Sequence, residues 1–269
     1  MPAAPRTRLD VRLADDGLAA SRDRARALIL AGRVRVDGTV VTKAGTPVAA
    51  GARIEVREPD FPWVGRGGVK LAHALDAFGI DVTGREALDI GASTGGFTDV
   101  LLQRGARRVV ALDVGHGQLD WRLREDPRVI VQERRNAREL DPSWLPGPVG
   151  IVTIDVSFIG LGLALPRVTE LLAPEGQVIA LIKPQFEVGK GQVGKGGVVR
   201  DPALHRAVIE RVLCEAAGMG LAPAGVIRSP ITGPAGNVEF LAWLRLGAVT
   251  PPADVVAQWA AAALLSPES

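Results

Sequence analysis

The chain has 269 residues, 47% of them hydrophobic and 23% charged. This is the balance of a folded protein with room for one large and one small domain. The formal charge of +2 excludes a globally basic nucleic-acid binder, so any basic surface must be local. A single cysteine, no Cys/His grouping at zinc spacing, no basic-apolar leader and no apolar run near ~18 residues argue against a disulfide scaffold, a metal centre and a membrane span, and suit a reducing cytoplasm.

Residues 1–58 read as a distinct N-terminal block. Leu9, Leu13 and Leu18 predict a first short helix. Ser21 is a good N-cap, Ala25, Leu28 and Ile29 follow at helical spacing, and Gly32 is a natural stop. Val34 and Val36 then alternate with Arg33 and Arg35, Asp37-Gly38 signals a hairpin turn, and Thr39-Val40-Val41 returns. Ile54 and Val56 supply another strand. The polar face carries Arg22, Arg24, Arg26, Arg33, Arg35 and Lys43, suited to a phosphate backbone. Asp15, Asp16, Asp23 and Asp37 dilute it, so charge alone leaves a plain solvated face equally open. The run Ala-Ser-Arg-x-x-Ala-x-x-Leu-Ile-x-x-Gly-x-Val-x-Val-Asp-Gly, residues 20–38, resembles the S4-type RNA-binding domain. That resemblance turns the reading toward RNA, with Arg22, Arg26, Arg33 and Arg35 as contacts.

Pro59, Pro62, Gly65, Gly67 and Gly68 mark a linker over 59–68, in which Trp63 and Val64 are apolar anchors. Residues 69–269 form the larger domain. Leu71, Leu75 and Phe78 share one helical face, and Lys70 opens that helix. Ala87 to Phe97 reads Ala-Leu-Asp-Ile-Gly-Ala-Ser-Thr-Gly-Gly-Phe, a strand turning at glycines into a helix. Such turns hold nucleotide-like ligands at the C-terminal edge of a parallel sheet. The turn is not G-x-G-x-x-G, so the dinucleotide fingerprint is missing. The next apolar run ends in Asp113, where a carboxylate can hold both hydroxyls of a ribose. Together these features resemble the S-adenosylmethionine pocket of Rossmann-like methyltransferases. The implied cofactor residues are Asp89, Gly91, Ser93, Thr94, Gly95, Gly96, Phe97, Asp113 and Asp155. Asn136 either bonds the adenine or serves a turn.

Strands are predicted near 107–112, 128–132, 149–155 and 177–183, and helices near 97–104, 117–124, 158–172 and 201–217. This alternation predicts an α/β fold, a Rossmann-like and mostly parallel sheet with helices on both faces, behind the small α+β block. Pro166 weakens or kinks the helix over 158–172. Strands near 222–228 and 236–246 follow with no helix between them, which predicts an antiparallel edge. A short helix is expected after Pro252. Cys214 reads as a small buried apolar residue, and His73, His116 and His205 are scattered.

Asp155 and Lys183 each end an apolar strand, and Glu239 begins the last one. All three therefore belong to the ligand-facing edge, and Lys70 can approach from its helix. Taken singly, each has a bland reading as cap, surface charge or edge residue. As a set they resemble the Lys-Asp-Lys-Glu tetrad of FtsJ-like RNA 2′-O-methyltransferases, in the right order. The chemistry needs such a set, because a ribose hydroxyl must lose its proton as it attacks the sulfonium methyl. A lysine serves as base only if its pKa falls from ~10.4 toward neutrality. Burial, the sulfonium and a second lysine push it down, and nearby carboxylates oppose. Lys183 is the expected base, Lys70 its neighbouring cation, and Asp155 and Glu239 orient the two; no metal is required. The Gly-rich stretch from Gln185 to Arg200, with Lys190 and Lys195, is expected to be a mobile loop that closes over RNA.

The S4-type block, Trp63-Val64, the Asp-Ile-Gly-Ala-Ser-Thr-Gly-Gly-Phe-Thr turn and the run Lys-Pro-Gln-Phe-Glu-Val-Gly-Lys-Gly-Gln-Val-Gly are together similar to the TlyA family over nearly the whole chain. The resemblance implies methylation of cytidine 2′-hydroxyls in ribosomal RNA of the small subunit, often also the large, with ribosomal subunits as partners. It also implies sensitivity to capreomycin-type antibiotics through that methylation. The N-terminal extension resembles the dual-substrate subgroup. The family also carries the name haemolysin. A membrane-active haemolysin would need an amphipathic or spanning segment, and none is visible. A non-catalytic RNA binder with a relic pocket is the third reading, against which the complete tetrad argues.

Overall fold

The computed structural model describes residues 6–19, 21–56, 61–189 and 191–265. The N-terminal block contains β1 (Arg6–Arg8), α1 (Leu9–Asp15), α2 (Arg22–Leu30), β2 (Val34–Val36), β3 (Thr39–Val40), β4 (Pro47–Ala49) and β5 (Ile54–Val56). Ser21 starts α2 by accepting the Arg24 N–H at 3.1 Å, one of the orphan donors of a helix start. Asp37 and Gly38 both take positive φ (48° and 81°), as a two-residue hairpin turn requires. Leu9, Leu13, Ala25, Leu28, Ile29, Val34 and Val48 form the core. Leu18, expected in the first helix, lies beyond its end and is exposed.

Asp10 is fully buried at the head of α1. Its carboxylate accepts two bonds of 2.9 Å from Arg8, one of 3.2 Å from Arg26 and one of 3.5 Å from Arg22. The Arg8 guanidinium above all, opposed by burial and helped by Arg26, holds this carboxyl far below the usual range.

The rest of the chain supplies α3 (Gly67–Phe78), β6 (Glu86–Ile90), α4 (Gly96–Gln103), β7 (Arg108–Asp113), α5 (Trp121–Arg124), β8 (Val129–Glu133), β9 (Val149–Ile154), α6 (Leu165–Val168), β10 (Leu172–Ile182), α7 (Pro184–Glu187), α8 (Pro202–Gly218), β11 (Leu221–Arg228), β12 (Phe240–Leu246) and α9 (Ala253–Leu264). Seven strands form one sheet in the order β8-β7-β6-β9-β10-β12-β11. All its pairings are parallel except those of β12, which runs antiparallel to both neighbours. The fold is the expected Rossmann-like α/β architecture. The strands read as unbroken Val/Ile/Leu runs because helices cover both faces. One core gathers around Ile90, Val152, Ile182 and Phe240, the other around Leu71, Val100, Val109 and Ile179.

Four further expectations need correction. The stretch 158–172 is a 3-10 turn, Leu161–Leu163, followed by the short α6; Gly160, Gly162 and Pro166 interrupt a longer helix. Only residues 121–124 of the predicted 117–124 helix form, with Gly117 at φ 70° upstream. Cys214 is exposed. Val208, Ile209, Val212, Leu213 and Ala216 turn the buried face of α8 inward, and the helical period carries position 214 outward. β10 also begins earlier than expected, at Leu172.

Trp63 and Val64 anchor to the larger unit. Val64 is buried beside α3 and donates its N–H to Asp99 at 2.8 Å. The Trp63 side chain lies against Gly68, where a Cβ would come within 2.6 Å of it. No helix among the described residues is long and apolar enough to cross a membrane.

Candidate active site

The turn between β6 and α4 runs through positive φ at Gly91 (85°), Ser93 (50°) and Gly95 (95°). A Cβ at Gly91 would lie 2.4 Å from the Asp155 carbonyl oxygen, and one at Gly95 would lie 2.2 Å from Leu123. Only glycine tolerates both demands. The turn meets Asp113 at the end of β7: Ser93 N–H donates to Oδ2 at 2.8 Å and Gly115 N–H to Oδ1 at 2.6 Å. Each carboxylate oxygen thus uses one lone pair for the backbone and keeps another.

Asp113 borders a cavity of about 500 Å³. Gly91, Ser93 and Asn136 line it with Asp113, and Leu112, Val114, Ala137 and Ile159 give it apolar walls. An apolar slot beside a half-buried carboxylate suits a base and a ribose diol. The donor set therefore fits the nucleoside end of S-adenosylmethionine. Asn136 uses its side-chain oxygen to accept the Arg138 N–H at 3.0 Å, so it serves the turn and borders the cavity at once.

A second cavity, of about 310 Å³, adjoins the first through the shared residues Gly91, Ser93, Asp155 and Ser157. Lys70, Asp155, Lys183 and Glu239 all line it. They form two ion pairs. Lys70 Nζ lies 2.5 Å from Glu239 Oε2, and Lys183 Nζ lies 2.5 Å from Asp155 Oδ1. Lys183 also donates to Ser157 Oγ at 2.9 Å. The antiparallel β12 brings Glu239 to this edge, since Phe240 stands opposite Ile182. Burial opposes the charge of Asp155, but Lys183 first and Lys70 next outweigh it and hold the carboxyl below its usual range. Thr94, Gly96 and Phe97 complete the wall, and Leu30 reaches it from α2.

Two residues grouped with the cofactor set line neither cavity. Gly95 packs on Leu123. Asp89 is fully buried and accepts hydroxyl bonds from Thr98 at 2.7 Å and Thr153 at 2.9 Å. It ties the start of α4 to the strand that ends at Asp155. Burial pushes its carboxyl up to about 7, against the two hydroxyls. Unfolded, the same group titrates near ~3.9. The folded state therefore holds the proton longer, and stability is lost as pH rises from about 4 to about 7. Asp89→Asn removes that loss. Its free energy of unfolding relative to the parent, read from urea denaturation, should rise between pH 4 and pH 8, with a ceiling of ~4 kcal/mol. An unchanged difference across that window would contradict a buried, titrating Asp89.

The basic residues are arranged differently from a simple stripe. Arg22 and Arg26 stand on Asp10 with about half of each side chain exposed. Arg24 is turned away and pairs with Asp120 of the larger unit at 2.8 Å. Arg35 donates to the Gly38 carbonyl at 3.1 Å. Arg33 is half-buried beside Asp120 and Thr94. Lys195 is exposed, and Lys190 lies outside the described residues.

Sequence reasoning missed Ser157, the second partner of Lys183. It also missed Phe158, which is 86% exposed at φ 66° on the rim of the larger cavity. A serine two residues past a strand-end aspartate is the one signal that pointed there.

The FtsJ-like methyltransferase family matches residues 63–246, and the S4 domain matches residues 7–54. The chain is 51% identical to the Mycobacterium tuberculosis 16S/23S rRNA (cytidine-2'-O)-methyltransferase TlyA, over 90% of this chain and 91% of that one. It is 40% identical to Hemolysin A of Brachyspira hyodysenteriae, over 87% of this chain and 98% of that one. A solved structure of a candidate hemolysin from Streptococcus thermophilus superposes with a TM-score of 0.75 at 40% identity, covering 97% of this chain and 96% of the other. With an S4 domain ahead of two lysine-carboxylate pairs on a Rossmann-like sheet edge, the chain belongs to the FtsJ-like methyltransferase family and, within it, to the TlyA group.

Proposed function

We propose that this chain methylates the ribose 2′-hydroxyl of cytidine in ribosomal RNA, with S-adenosylmethionine as donor. The observation that carries the reading is the pairing of Lys183 with Asp155 and of Lys70 with Glu239 in one cavity beside Asp113. When bound, S-adenosylmethionine supplies an electrophilic methyl group. Asp113 would hold its ribose diol, the Gly91–Phe97 turn would cradle its amino-acid end, and the apolar slot beside Asn136 would take the adenine. The division of labour follows the segments 1–58, 59–68 and 69–269, with RNA docking on the first and chemistry in the last. Acting on ribosomal RNA implies work in the cytoplasm.

Lys183 is the base. A neutral amine has two N–H donors and one lone pair. Asp155 and Ser157 accept both hydrogens, which leaves the lone pair for the proton of the attacking hydroxyl. Lys70, fixed by Glu239, adds positive charge that counters Asp155. Closure of the site then rests on orientation, which supplies much of the rate in such transfers. Arg22, Arg26, Arg33 and Arg35, with Lys190 and Lys195 of the Gly-rich loop, would meet phosphate.

The test offers labelled S-adenosylmethionine with separated ribosomal subunits, then digests the RNA to nucleosides. Label should appear in 2′-O-methylcytidine. Label on a base, or cofactor binding with no label in either subunit, overturns the reading.

A further inference from the structure

The two loops that carry the Lys183–Asp155 pair are joined a second time, away from the cavity. After β9, the chain runs through Asp155, Ser157 and Phe158 to Leu161, the first residue of the 3-10 turn. After β10, it runs through Lys183 into α7, which ends at Glu187. Glu187 Oε1 accepts the Leu161 N–H at 2.7 Å. That N–H opens a helical turn and has no partner of its own within it. Glu187 Oε2 accepts from Arg211 of α8 at 2.9 Å, and the same guanidinium nitrogen also donates to the Glu187 carbonyl at 2.9 Å. The Glu187 side chain is only 4% exposed. Arg211 is held in turn by Glu215 at 2.9 Å.

Between this clamp and the ion pair lies one more bridge, the Phe158 and Phe186 rings at 5.1 Å. Ring contacts of this kind slide easily. A charged carboxylate with one oxygen on a backbone amide and the other on a guanidinium does not. Gly160 fits the clamp closely, since a Cβ there would come 3.2 Å from Glu187 Oε2. The loop end is therefore fixed in distance and direction from α8, a long helix packed on the sheet. Without the clamp, the β9 loop would keep the core packing of Ile159 and Leu161 and the Phe158–Phe186 contact, but lose the directed bond that ties it to α7.

We infer that Glu187 is a positioning residue for methyl transfer: clamped by Arg211, it holds the Asp155–Ser157 loop against the Lys183 loop so that the base keeps both of its partners. The inference rests on the reading of Lys183 as base. Glu187 lines neither cavity. It should govern the rate of transfer and not the affinity for the donor. A displacement of about 1 Å at a reacting group costs on the order of 10²-fold in rate.

The test measures kcat on ribosomal RNA and, separately, the dissociation constant of S-adenosylmethionine. Three variants of the full chain are compared with the parent: Glu187→Ala, Glu187→Gln and Arg211→Ala. Glu187→Ala should lower kcat by at least tenfold with the donor constant within threefold. Glu187→Gln fills the same volume and keeps an oxygen for Leu161, but turns its amide NH2 toward the Arg211 guanidinium. It should recover only part of the loss, whereas a packing defect alone would be repaired in full. Arg211→Ala frees the carboxylate to swing and should lie between them. Should Glu187→Ala fail to fold, the Arg211→Ala rate carries the test, and a parental rate there overturns the inference. So does a Glu187→Ala enzyme as fast as the parent, or one whose loss appears wholly in donor affinity. A parent that transfers no methyl to ribose sinks the methyltransferase reading itself, a result distinct from any of these.

Discussion

Lys183→Ala should lose methyl transfer by at least ~10³-fold while S-adenosylmethionine binds within a few-fold of the parent. General-base catalysis contributes ~10²–10⁴-fold, and Lys183 also fixes Asp155 and Ser157 through bonds of 2.5 and 2.9 Å. The cavity beside Asp113, proposed above for the nucleoside end of the donor, does not include Lys183, which is why affinity should survive. Asp155 keeps the charge of Lys70 nearby, so the variant should fold. Lys183→Arg is the sharper comparison. It preserves positive charge and can still bond Asp155, but a guanidinium does not give up its proton. If Lys183 works as a base, arginine should be as inactive as alanine. Substantial transfer by the arginine variant, measured in a single turnover, would reduce Lys183 to an electrostatic role.

Glu239→Ala should cost the most stability. Glu239 is 1% exposed and Lys70 is 6% exposed, and their contact is 2.5 Å. Removing Glu239 takes away the direct partner of buried Lys70 and leaves it only the more distant Asp155, already held by Lys183, at a cost of up to about 3–5 kcal/mol. The Glu239 carboxylate also fills the turn before β12, where a Cβ at Gly233 would meet Oε1 at 2.6 Å, so a void is left as well. The double variant Lys70→Met, Glu239→Leu removes both charges and should regain most of the stability. It should not regain transfer. Urea denaturation measures both, and a single variant as stable as the parent would show that the pair is not what holds this corner.

The sheet was largely legible from the chain. Unbroken apolar runs ending in Asp113, Asp155 and Lys183 marked parallel strands and their ligand edge, because burial on both faces forces that pattern. The pairing of the four polar residues was not. Lys70 and Glu239 are 169 positions apart, and only the antiparallel insertion of β12 brings them together. Asp89 shows the opposite limit. An acid inside a Gly-rich motif reads as a ligand contact, yet strand alternation turns it into the core, where Thr98 and Thr153 meet it. The helix expected over 158–172, already weakened by Pro166, gives way to a 3-10 turn and a short helix because Gly160 and Gly162 add to that proline. In the sequence Arg24 is counted with the basic face, although residues two apart in a helix point to different sides. Its departure to Asp120 depends on how the two units meet, which local patterning does not encode.

The geometry comes down to where the target oxygen sits. A crystal structure of the protein with S-adenosylhomocysteine and a bound cytidine-containing ribosomal RNA fragment measures it. The cytidine 2′-oxygen should lie within hydrogen-bond reach of Lys183 Nζ, with the cofactor ribose on Asp113. A 2′-oxygen far from Lys183, or a nucleoside seated away from Asp113, would contradict the assignment.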